Sequence, residues 1–179
     1  TPTNPLLELC DIKGLSNLSK SKGVKLAIDN TFMSPYGQSP ISLGADVVMH
    51  SATKFIGGHS DLVAGVLVTN DSSIAEELYF IQKSGGAILS PFDSWMLLRS
   101  TKTLALRVQR HSNNAMIIAQ TLQKFSKVKS VIYPGLSSHS QHYLAARQQK
   151  NKPWQWRAEC PEPPVSAACL SGFAKAADR

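Results

Sequence analysis

Four short apolar runs along the chain are bounded by turn-forming residues. They cover residues 24–28, 46–50, 63–69 and 127–132, and each is shorter than an ordinary helix. Apolar runs of this length between turns are typical of buried strands. The last run leads into Tyr133-Pro134-Gly135, which predicts a turn. We therefore expect these four runs to form strands, with longer polar segments between them.

Helical spacing of apolar residues predicts two helices around these runs. Ile12, Leu15 and Leu18 recur three residues apart, which favours a short amphipathic helix. Residues 73–76, Ser-Ile-Ala-Glu, have the pattern of a capping box, in which a hydroxyl and a carboxylate cap the first turn. We expect a helix to begin there and to reach about residue 83, because two glycines follow.

A long helical stretch follows Ser90-Pro91-Phe92-Asp93, a sequence typical of a helix start. Its length favours a connecting or subunit-packing helix. Apolar residues stand near helical spacing along it: Trp95, Leu98, Ala105, Val108, Ala115, Ile118, Ala119, Leu122 and Phe125.

The alternation of strands and helices predicts an α/β layered domain with a mostly parallel sheet and flanking helices. Residues 30–40, with two prolines and one glycine, predict a loop after the first strand. The pattern changes near the end, because residues 151–179 hold four prolines, two cysteines and two tryptophans without a clear period. We interpret residues 1–149 as part of one large domain with its long connecting helix, and residues 150–179 as an aberrant tail.

The composition excludes several classes of protein. At 42% hydrophobic and 17% charged residues, the chain is neither disordered nor membrane-like. No apolar run reaches the roughly 18 residues of a membrane span. The three cysteines, Cys10, Cys160 and Cys169, fit neither a disulfide framework nor a zinc site. We expect a reducing compartment, namely the cytoplasm, or a plastid for a plant protein.

The net charge of +7 is concentrated in the second half of the chain. Residues 91–179 carry 13 Lys and Arg against 4 Asp and Glu, whereas residues 1–90 carry 6 against 8. A basic half is one property of nucleic-acid-binding proteins. Here the basic residues are scattered along a helical pattern without interleaved aromatic residues, so a solvated helix face is the better interpretation.

The strongest candidate for chemistry is the stretch Ser51-Ala52-Thr53-Lys54-Phe55-Ile56-Gly57-Gly58-His59-Ser60-Asp61. It places Lys54 between two hydroxyls and a glycine pair, directly after an apolar run. On a tight, partly buried turn a lysine loses its proton more easily, and the neutral amine forms a Schiff base with a carbonyl. The alternative is a solvated lysine on a polar surface loop.

Asp29 favours the first of these interpretations. It ends the run 24–28, as Lys54 follows the run 46–50, and ligands of open α/β sheets lie beyond the carboxyl ends of strands. Pyridoxal phosphate requires a lysine for its aldehyde, an acid at its pyridine nitrogen and donors for its phosphate. Lys54, Asp29 and the hydroxyls of Ser51 and Thr53 supply these groups. A helix N-cap or surface turn is the alternative role of Asp29.

Other constellations in the same stretch are weaker. His50, Ser51, His59, Ser60 and Asp61 contain the residue types of a hydrolase triad, but triads are defined by geometry and not by adjacency. Their spacing matches no usual zinc pattern, and we expect no metal site. We expect His59 to donate hydrogen bonds that shape the lysine stretch.

Gly57-Gly58 is reminiscent of a phosphate-binding loop. It lacks the lysine and hydroxyl residue that end a nucleotide-binding P-loop, so nucleotide binding is not expected. The pair predicts either a close backbone approach or a turn with positive φ, and an ordinary loop is the alternative.

The ordered motifs resemble the pyridoxal-phosphate enzymes of cysteine and methionine metabolism, namely the cystathionine lyases and synthases and the methionine lyases. Similarity runs from Thr1 to about Gln149. An aspartate 25 residues before the lysine makes the central motif specific. The stretches that carry the resemblance are Thr1-Pro2-Thr3-Asn4-Pro5, Asp29-Asn30-Thr31-Phe32, residues 51–61, residues 98–107 and Tyr133-Pro134-Gly135-Leu136.

The resemblance implies a fold-type-I large domain and a role for each matching residue. The residue that matches Lys54 holds the cofactor as an aldimine, and the one that matches Asp29 pairs with the pyridine nitrogen. The residues that match Ser51 and Thr53 bind the phosphate. Asn4 matches an asparagine near the phenolic oxygen of the cofactor. Thr31 either helps to seat the ring or packs behind the strand.

The resemblance also implies a reaction on sulfur amino acids. In a β-lyase the carbanion at the α-carbon expels the β-thiolate, so that cystathionine gives homocysteine, pyruvate and ammonia. We favour cystathionine β-lyase, with γ-lyase, γ-synthase and methionine γ-lyase as alternatives. A truncated, inactive relative that binds cofactor or full-length subunits is an alternative of another class.

Members of this family are about twice as long as this chain and form homotetramers with shared sites. Tyrosine and arginine residues that hold the cofactor upstream and the substrate downstream have no match here. We therefore expect this chain alone to be weakly active or inactive, because lost positioning groups slow a reaction by orders of magnitude.

Overall fold

The structure, a computed structural model, describes residues 1–150. Three strands form one sheet: β1 (Ala27–Asp29), β2 (Val47–Ser51) and β3 (Gly65–Val68). The helices are α1 (Ile12–Ser21), α2 (Ser34–Gly37), α3 (Ser72–Gly85), α4 (Pro91–Thr101), α5 (Leu104–Leu122) and α6 (His142–Gln148), with a short 3-10 helix at Pro40–Leu43. The predicted tail, residues 150–179, lies outside the described residues except for its first residue.

The sheet has the strand order β1-β2-β3 and is mixed. β1 and β2 are parallel, with Ile28 opposite Val48, whereas β2 and β3 are antiparallel, with His50 opposite Val66. The α/β class is confirmed. A mostly parallel sheet was expected, but β3 runs the other way because only a loop joins it to β2. A parallel neighbour needs a crossover connection of a dozen or more residues, usually with a helix.

An apolar cluster lies between the sheet and α1. Its fully enclosed members are Ile12 from α1, Ile28 from β1, Ala45 and Val48 from β2. A second, smaller cluster joins Leu9, Met33 and Ala145, and so connects the two ends of the described chain. Alternation along β2 buries Val48 and His50 and leaves Met49 more exposed, as a strand with one covered face requires.

Helix α1 forms as predicted, but its buried face differs from the predicted stripe. Ile12 and Ser16 are fully buried, whereas Leu15 and Leu18 are exposed. The hydroxyl of Ser16 donates to the carbonyl oxygen of Gly44 at 2.8 Å. The small serine allows the helix to approach this turn closely, and that contact sets which face points inward.

The expected capping box at the start of α3 is wrong. Asp71 is the N-cap, and its Oδ1 accepts from the backbone N–H groups of Ser73 and Ile74 at 2.9 and 3.2 Å. The Ser73 hydroxyl also donates to this carboxylate, and these hydrogen bonds lower the pKa of Asp71 to about 2. The carboxylate outcompetes the hydroxyl because an ionised acceptor suits the helix N-terminus better.

The long helical stretch is two helices, α4 and α5. Ser90 caps the first of them, and its Oγ accepts from the backbone N–H of Asp93 at 3.0 Å. Tighter hydrogen bonds, from Lys102 to Arg99 and from Thr103 to Ser100, end α4 at the junction. Such i to i−3 bonds are usual at the last turn of a helix.

The predicted strand at residues 127–132 is wrong, because this segment is irregular. A strand requires a neighbour for its backbone hydrogen bonds, and the sheet of the described chain ends at β1 and β3. The turn that follows is confirmed, with Leu136 N–H donating to the Tyr133 carbonyl at 3.0 Å. The short helices α2 and α6 were not predicted. Within residues 1–150, no helix is long and apolar enough to cross a membrane.

Candidate active site

The two candidate catalytic groups lie beyond the carboxyl ends of neighbouring parallel strands. Asp29 is the last residue of β1, and Lys54 follows the end of β2 by three residues. Because β1 and β2 are paired in parallel, with Asp29 opposite Met49, both ends meet at the same edge of the sheet. The structure therefore places Asp29 and Lys54 at the edge where ligands of α/β sheets bind.

Thr31 fastens these two strand ends to each other. Its hydroxyl oxygen accepts a hydrogen bond from the backbone N–H of Ser51 at 2.8 Å. One residue earlier, the backbone N–H of Asn30 donates to the carbonyl of Met49 at 2.8 Å. The parallel pairing is thus continued past the end of β1 by a side chain. Of the two roles weighed for Thr31, the observed one is a structural tie between the loops.

The Asp29 carboxylate is exposed and only partly engaged. Its Oδ1 accepts from the backbone N–H of Thr31 at 2.9 Å, which orients the side chain. Its Oδ2 makes no hydrogen bond to any residue of the described range. Its charge also raises the pKa of nearby His50, although burial lowers that pKa by more. Asp29 therefore offers one oriented, unoccupied carboxylate oxygen at the strand end.

Lys54 stands on a compact turn of backbone hydrogen bonds. Its N–H donates to the Ser51 carbonyl at 3.2 Å, and its carbonyl accepts from Gly58 at 2.7 Å. The turn itself is partly buried, because Ala52 and Ile56 are enclosed. The Lys54 side chain, in contrast, is exposed, and its amine has no hydrogen-bond partner among residues 1–150. The backbone is therefore fixed while the amine is available.

The glycine pair shapes this turn, which we call the lysine loop (residues 52–61). A β-carbon at Gly57 would lie 2.7 Å from the carbonyl oxygen of Ala52, so only glycine permits this approach. Gly58 has φ +77°, which favours glycine. The ring Nδ1 of His59 donates to the Gly57 carbonyl at 2.7 Å. Both expectations for the pair, close approach and positive φ, are confirmed, as is the loop-shaping role of His59.

The two hydroxyls beside Lys54 have different surroundings. Thr53 Oγ1 accepts from the N–H of Ala64 at 3.0 Å and lies 3.3 Å from the Ala64 carbonyl, to which it donates. It therefore anchors the lysine loop to the segment before β3. Ser51 bonds through its backbone, and its hydroxyl makes no hydrogen bond in the described part of the chain. Ser51 is thus the freer donor of the two.

Asn4 lies in an exposed turn near the start of the chain. The backbone nitrogen of Thr1 donates to the Asp29 carbonyl at 2.6 Å, so this segment begins beside the end of β1. The amide of Asn4 has no hydrogen-bond partner among the first 150 residues. The structure brings its segment to the strand ends, but no contact joins Asn4 to Asp29 or Lys54.

Arg107 is a residue of this site that the sequence analysis did not single out. It extends from α5 and donates to the carbonyl oxygens of Phe55 and Ile56 at 2.6 and 3.2 Å. Burial lowers the pKa of its guanidinium, which nevertheless remains charged at neutral pH. The residues 98–107 were singled out only as a stretch, and no local pattern signals that an arginine 53 positions after the lysine reaches its loop.

His50 does not take part in a catalytic triad. It is buried on β2, and its Nδ1 has no hydrogen-bond partner in the described residues. Burial is the main reason that its pKa lies below the ordinary value of histidine. A buried imidazole that prefers the neutral form and does not contact a serine or carboxylate cannot activate a nucleophile.

The donor set fits pyridoxal phosphate in its chemistry. Lys54 supplies a free primary amine, Asp29 a carboxylate oxygen without a partner, and Ser51 a free hydroxyl, all beyond the same sheet edge. An aldehyde, a pyridine nitrogen and a phosphate are the groups that these three side chains suit. Thr53 suits the phosphate less well, because its hydroxyl is occupied by Ala64.

Comparison with known proteins gives an independent assignment. The model of one family, described as Cys/Met metabolism PLP-dependent enzyme, matches residues 1–154. Cystathionine gamma-lyase of Dictyostelium discoideum is 54% identical over 150 residues, which is 84% of this chain and 39% of that protein. Cystathionine beta-lyase of Lactococcus lactis is 52% identical over 148 residues, which is 83% of this chain and 39% of that protein.

A solved structure gives the same result for the fold. The crystal structure of cystathionine gamma synthase from Xanthomonas oryzae, in complex with aminoacrylate and cysteine, superposes with a TM-score of 0.81 at 43% identity. The match covers 84% of this chain and 39% of that one. The chain thus spans about two fifths of the length of the relatives it matches.

Proposed function

Because this chain belongs to the Cys/Met metabolism PLP-dependent enzymes, we propose that it is part of a carbon–sulfur lyase in which Lys54 is the cofactor lysine. The single observation that carries the proposal is the placement of Asp29 and Lys54 beyond the ends of two paired parallel strands. The Thr31 hydroxyl fixes the relative position of the two loops. An amine and a carboxylate held at one sheet edge are what this cofactor requires.

The residues act through their ordinary chemistry. When bound, pyridoxal phosphate supplies an electron sink for the electron pair left at the α-carbon of the substrate. Lys54 binds the aldehyde carbon and, once its amine is released, takes the proton from the α-carbon of the substrate. Asp29 holds a proton on the pyridine nitrogen, because a carboxylate stabilises the charged form of a neighbouring base.

Other side chains position these groups. The free hydroxyl of Ser51 donates to a phosphate oxygen, and Thr53 is the weaker candidate for the same role because Ala64 already engages it. Asn4 is assigned to the phenolic oxygen on the basis of its segment, which begins beside Asp29. Thr31 keeps the Asp29 carboxylate oriented through its backbone N–H.

For the reaction we propose β-elimination from cystathionine, which gives homocysteine, pyruvate and ammonia. The relatives carry the names of a γ-lyase and a β-lyase at almost equal identity, 54% and 52%, so the identity of products is the test that separates them. A γ-lyase would give cysteine and 2-oxobutyrate from the same substrate. Oxoacid products can be distinguished by mass spectrometry after derivatisation.

The proposal extends to the organisation of the protein. We assign residues 1–149 to the cofactor-binding large domain and residues 150–179 to a tail outside family structure. The support is that relatives match only the first 150 residues. A homo-oligomer and a cytoplasmic location complete the proposal for the whole protein, and its substrate is a small sulfur amino acid.

Borohydride trapping tests the cofactor site. The purified chain is incubated with pyridoxal phosphate, reduced and digested, and the adduct is located by mass spectrometry. We expect modification confined to Lys54 and lost in Lys54→Arg. The matched control is Lys13→Arg, which changes another exposed lysine, on α1, and should leave the adduct unchanged. Adducts spread evenly over many lysines would contradict the proposal.

A second candidate function is a truncated relative that binds cofactor without turnover. The observation that favours it is the coverage, because this chain spans 39% of the matched relatives. Trapping at Lys54 together with no pyruvate or 2-oxobutyrate from cystathionine would support this candidate for the chain alone. Steady-state turnover at the rate of complete lyases would exclude it.

A further inference from the structure

Arg107 connects α5 to the lysine loop, and we propose that it is a positioning residue that sets the direction of Lys54. This inference rests on the proposed function, since positioning matters only if Lys54 is the cofactor lysine. Arg107 contacts no candidate reacting group itself. It acts through the backbone of the residues that directly follow Lys54.

The guanidinium makes four hydrogen bonds that define its position. Nη1 donates to the Phe55 carbonyl at 2.6 Å, and Nη2 donates to the carbonyls of Ile56 and Ser100 at 3.2 and 3.0 Å. Nε donates to the hydroxyl of Thr103 at 3.0 Å. The bonds to Ser100 and Thr103 hold the fork at the junction of α4 and α5, so that its remaining donors point at the lysine loop.

The glycine pair leaves room for this contact. A β-carbon at Gly58 would overlap the guanidinium of Arg107, and the left-handed φ of Gly58 turns the chain around the group. The guanidinium is planar and presents several donors in a fixed geometry, which lysine cannot reproduce. The loop sequence and the arginine are therefore complementary in shape as well as in hydrogen bonding.

The side chain of Phe55 is held from the same helix. Its ring lies 5.8 Å from that of His111, one turn after Arg107 on α5, and 6.5 Å edge-to-face from that of Phe32. Both the carbonyl and the ring of the residue next to Lys54 are thus fixed. Because a tight loop transmits a peptide rotation to its neighbour, freeing the Phe55 carbonyl would let the Lys54 side chain sample more directions.

The test compares Arg107→Lys and Arg107→Ala with the matched control Arg110→Ala. Arg110 lies on the same helix, is exposed, and donates no hydrogen bond within residues 1–150. The first readout is hydrogen exchange of the Gly57 and Gly58 amides, which donate to Ala52 and Lys54 in the lysine loop. The second is the rate of borohydride-trapped adduct formation at Lys54, measured with and without added guanidinium chloride at millimolar concentration.

We expect both Arg107 variants to raise exchange at Gly57 and Gly58 by about ten- to a hundredfold, because hydrogen bonds to a charged donor are lost. Exchange in α1 and the sheet should stay unchanged, as should every readout in Arg110→Ala. Trapping at Lys54 should slow by a similar factor. Added guanidinium should restore it in Arg107→Ala, which a general loss of folding would not allow.

Several results would overturn the inference. One is an unchanged exchange rate in the lysine loop of Arg107→Lys, and another is equal acceleration of exchange across the whole chain. Slower trapping without guanidinium rescue would also count against it. If the unaltered chain fails to trap cofactor at Lys54, the proposed function fails, whereas the exchange comparison still decides whether Arg107 fixes the loop.

Discussion

The hydroxyl oxygen of Thr31 accepts the backbone N–H of Ser51 across the ends of β1 and β2, at 2.8 Å. This bond stands where the ladder of parallel strands has ended and the two loops would otherwise separate. It lies two residues after Asp29 and three before Lys54. A side chain therefore sets the distance between the loops that carry the candidate acid and the candidate amine.

Removal of this hydroxyl should destabilise the fold. In Thr31→Val the shape is nearly kept, but the partly buried N–H of Ser51 loses its acceptor, so the free energy of unfolding should fall by about 1–3 kcal/mol. Urea unfolding measures the loss. Thr31→Ser retains an oxygen at the same position and serves as the control. Equal losses in the two variants would show that the methyl group, and not the hydrogen bond, matters.

A methyl group at Gly57 should disrupt the lysine loop. In Gly57→Ala the new β-carbon would lie 2.7 Å from the Ala52 carbonyl oxygen, and backbone atoms must move. We expect a loss of about 1–3 kcal/mol in the free energy of unfolding, as for other overpacked positions. Gly85→Ala is the control, because a β-carbon there has no atom within 4 Å. A neutral Gly57→Ala would mean that the loop adapts freely.

Loss of the Asp29 charge should weaken cofactor binding. In Asp29→Asn the carboxylate that we assign to the pyridine nitrogen becomes neutral, and affinity for pyridoxal phosphate should fall by about tenfold or more. Fluorescence titration of cofactor binding measures the change. Asp61→Asn, which removes another exposed carboxylate from the lysine loop, is the control. Unchanged affinity in Asp29→Asn would remove Asp29 from the site.

The same substitution should also be visible at His50. The charge of Asp29 raises the pKa of this histidine, so Asp29→Asn should lower that pKa further. An NMR titration of the His50 ring protons records it. A pKa that stays constant or rises would show that the two groups do not interact in solution.

Acidification should destabilise the fold through its histidines. The pKa values of His50, His111 and His139 lie below the ordinary value of about 6.5, mainly because burial disfavours the charged ring. As the pH falls through that value, the unfolded chain takes up protons that the folded chain resists. The free energy of unfolding should therefore decrease, and the decrease should end only below the folded pKa values.

The variant His50→Gln isolates one part of this effect. The buried side chain stays polar but no longer titrates, so the difference in unfolding free energy between about pH 7.5 and pH 5.5 should be smaller than in the unaltered chain. Urea unfolding at the two pH values gives the comparison. An unchanged difference would show that His50 does not contribute to the pH dependence.

The local patterns predicted most elements because local physics forms them. Three apolar runs became strands, and the spacing of Ile12, Leu15 and Leu18 correctly indicated a helix. The pattern failed where a tertiary partner decides. Residues 127–132 have strand-like composition but no neighbouring strand in the described chain, and Ser16 rather than Leu15 faces inward because it contacts Gly44.

The sequence by itself determined the family, the α/β class and the identity of the candidate groups Asp29, Lys54 and Ser51, because these depend on residue types at fixed spacing. Only the tertiary structure decided how the site is held together. The Thr31–Ser51 bond and the contact of Arg107 with Phe55 join residues 20 and 52 positions apart. Such contacts depend on where the chain returns in space, and spacing along the sequence does not encode that return locally.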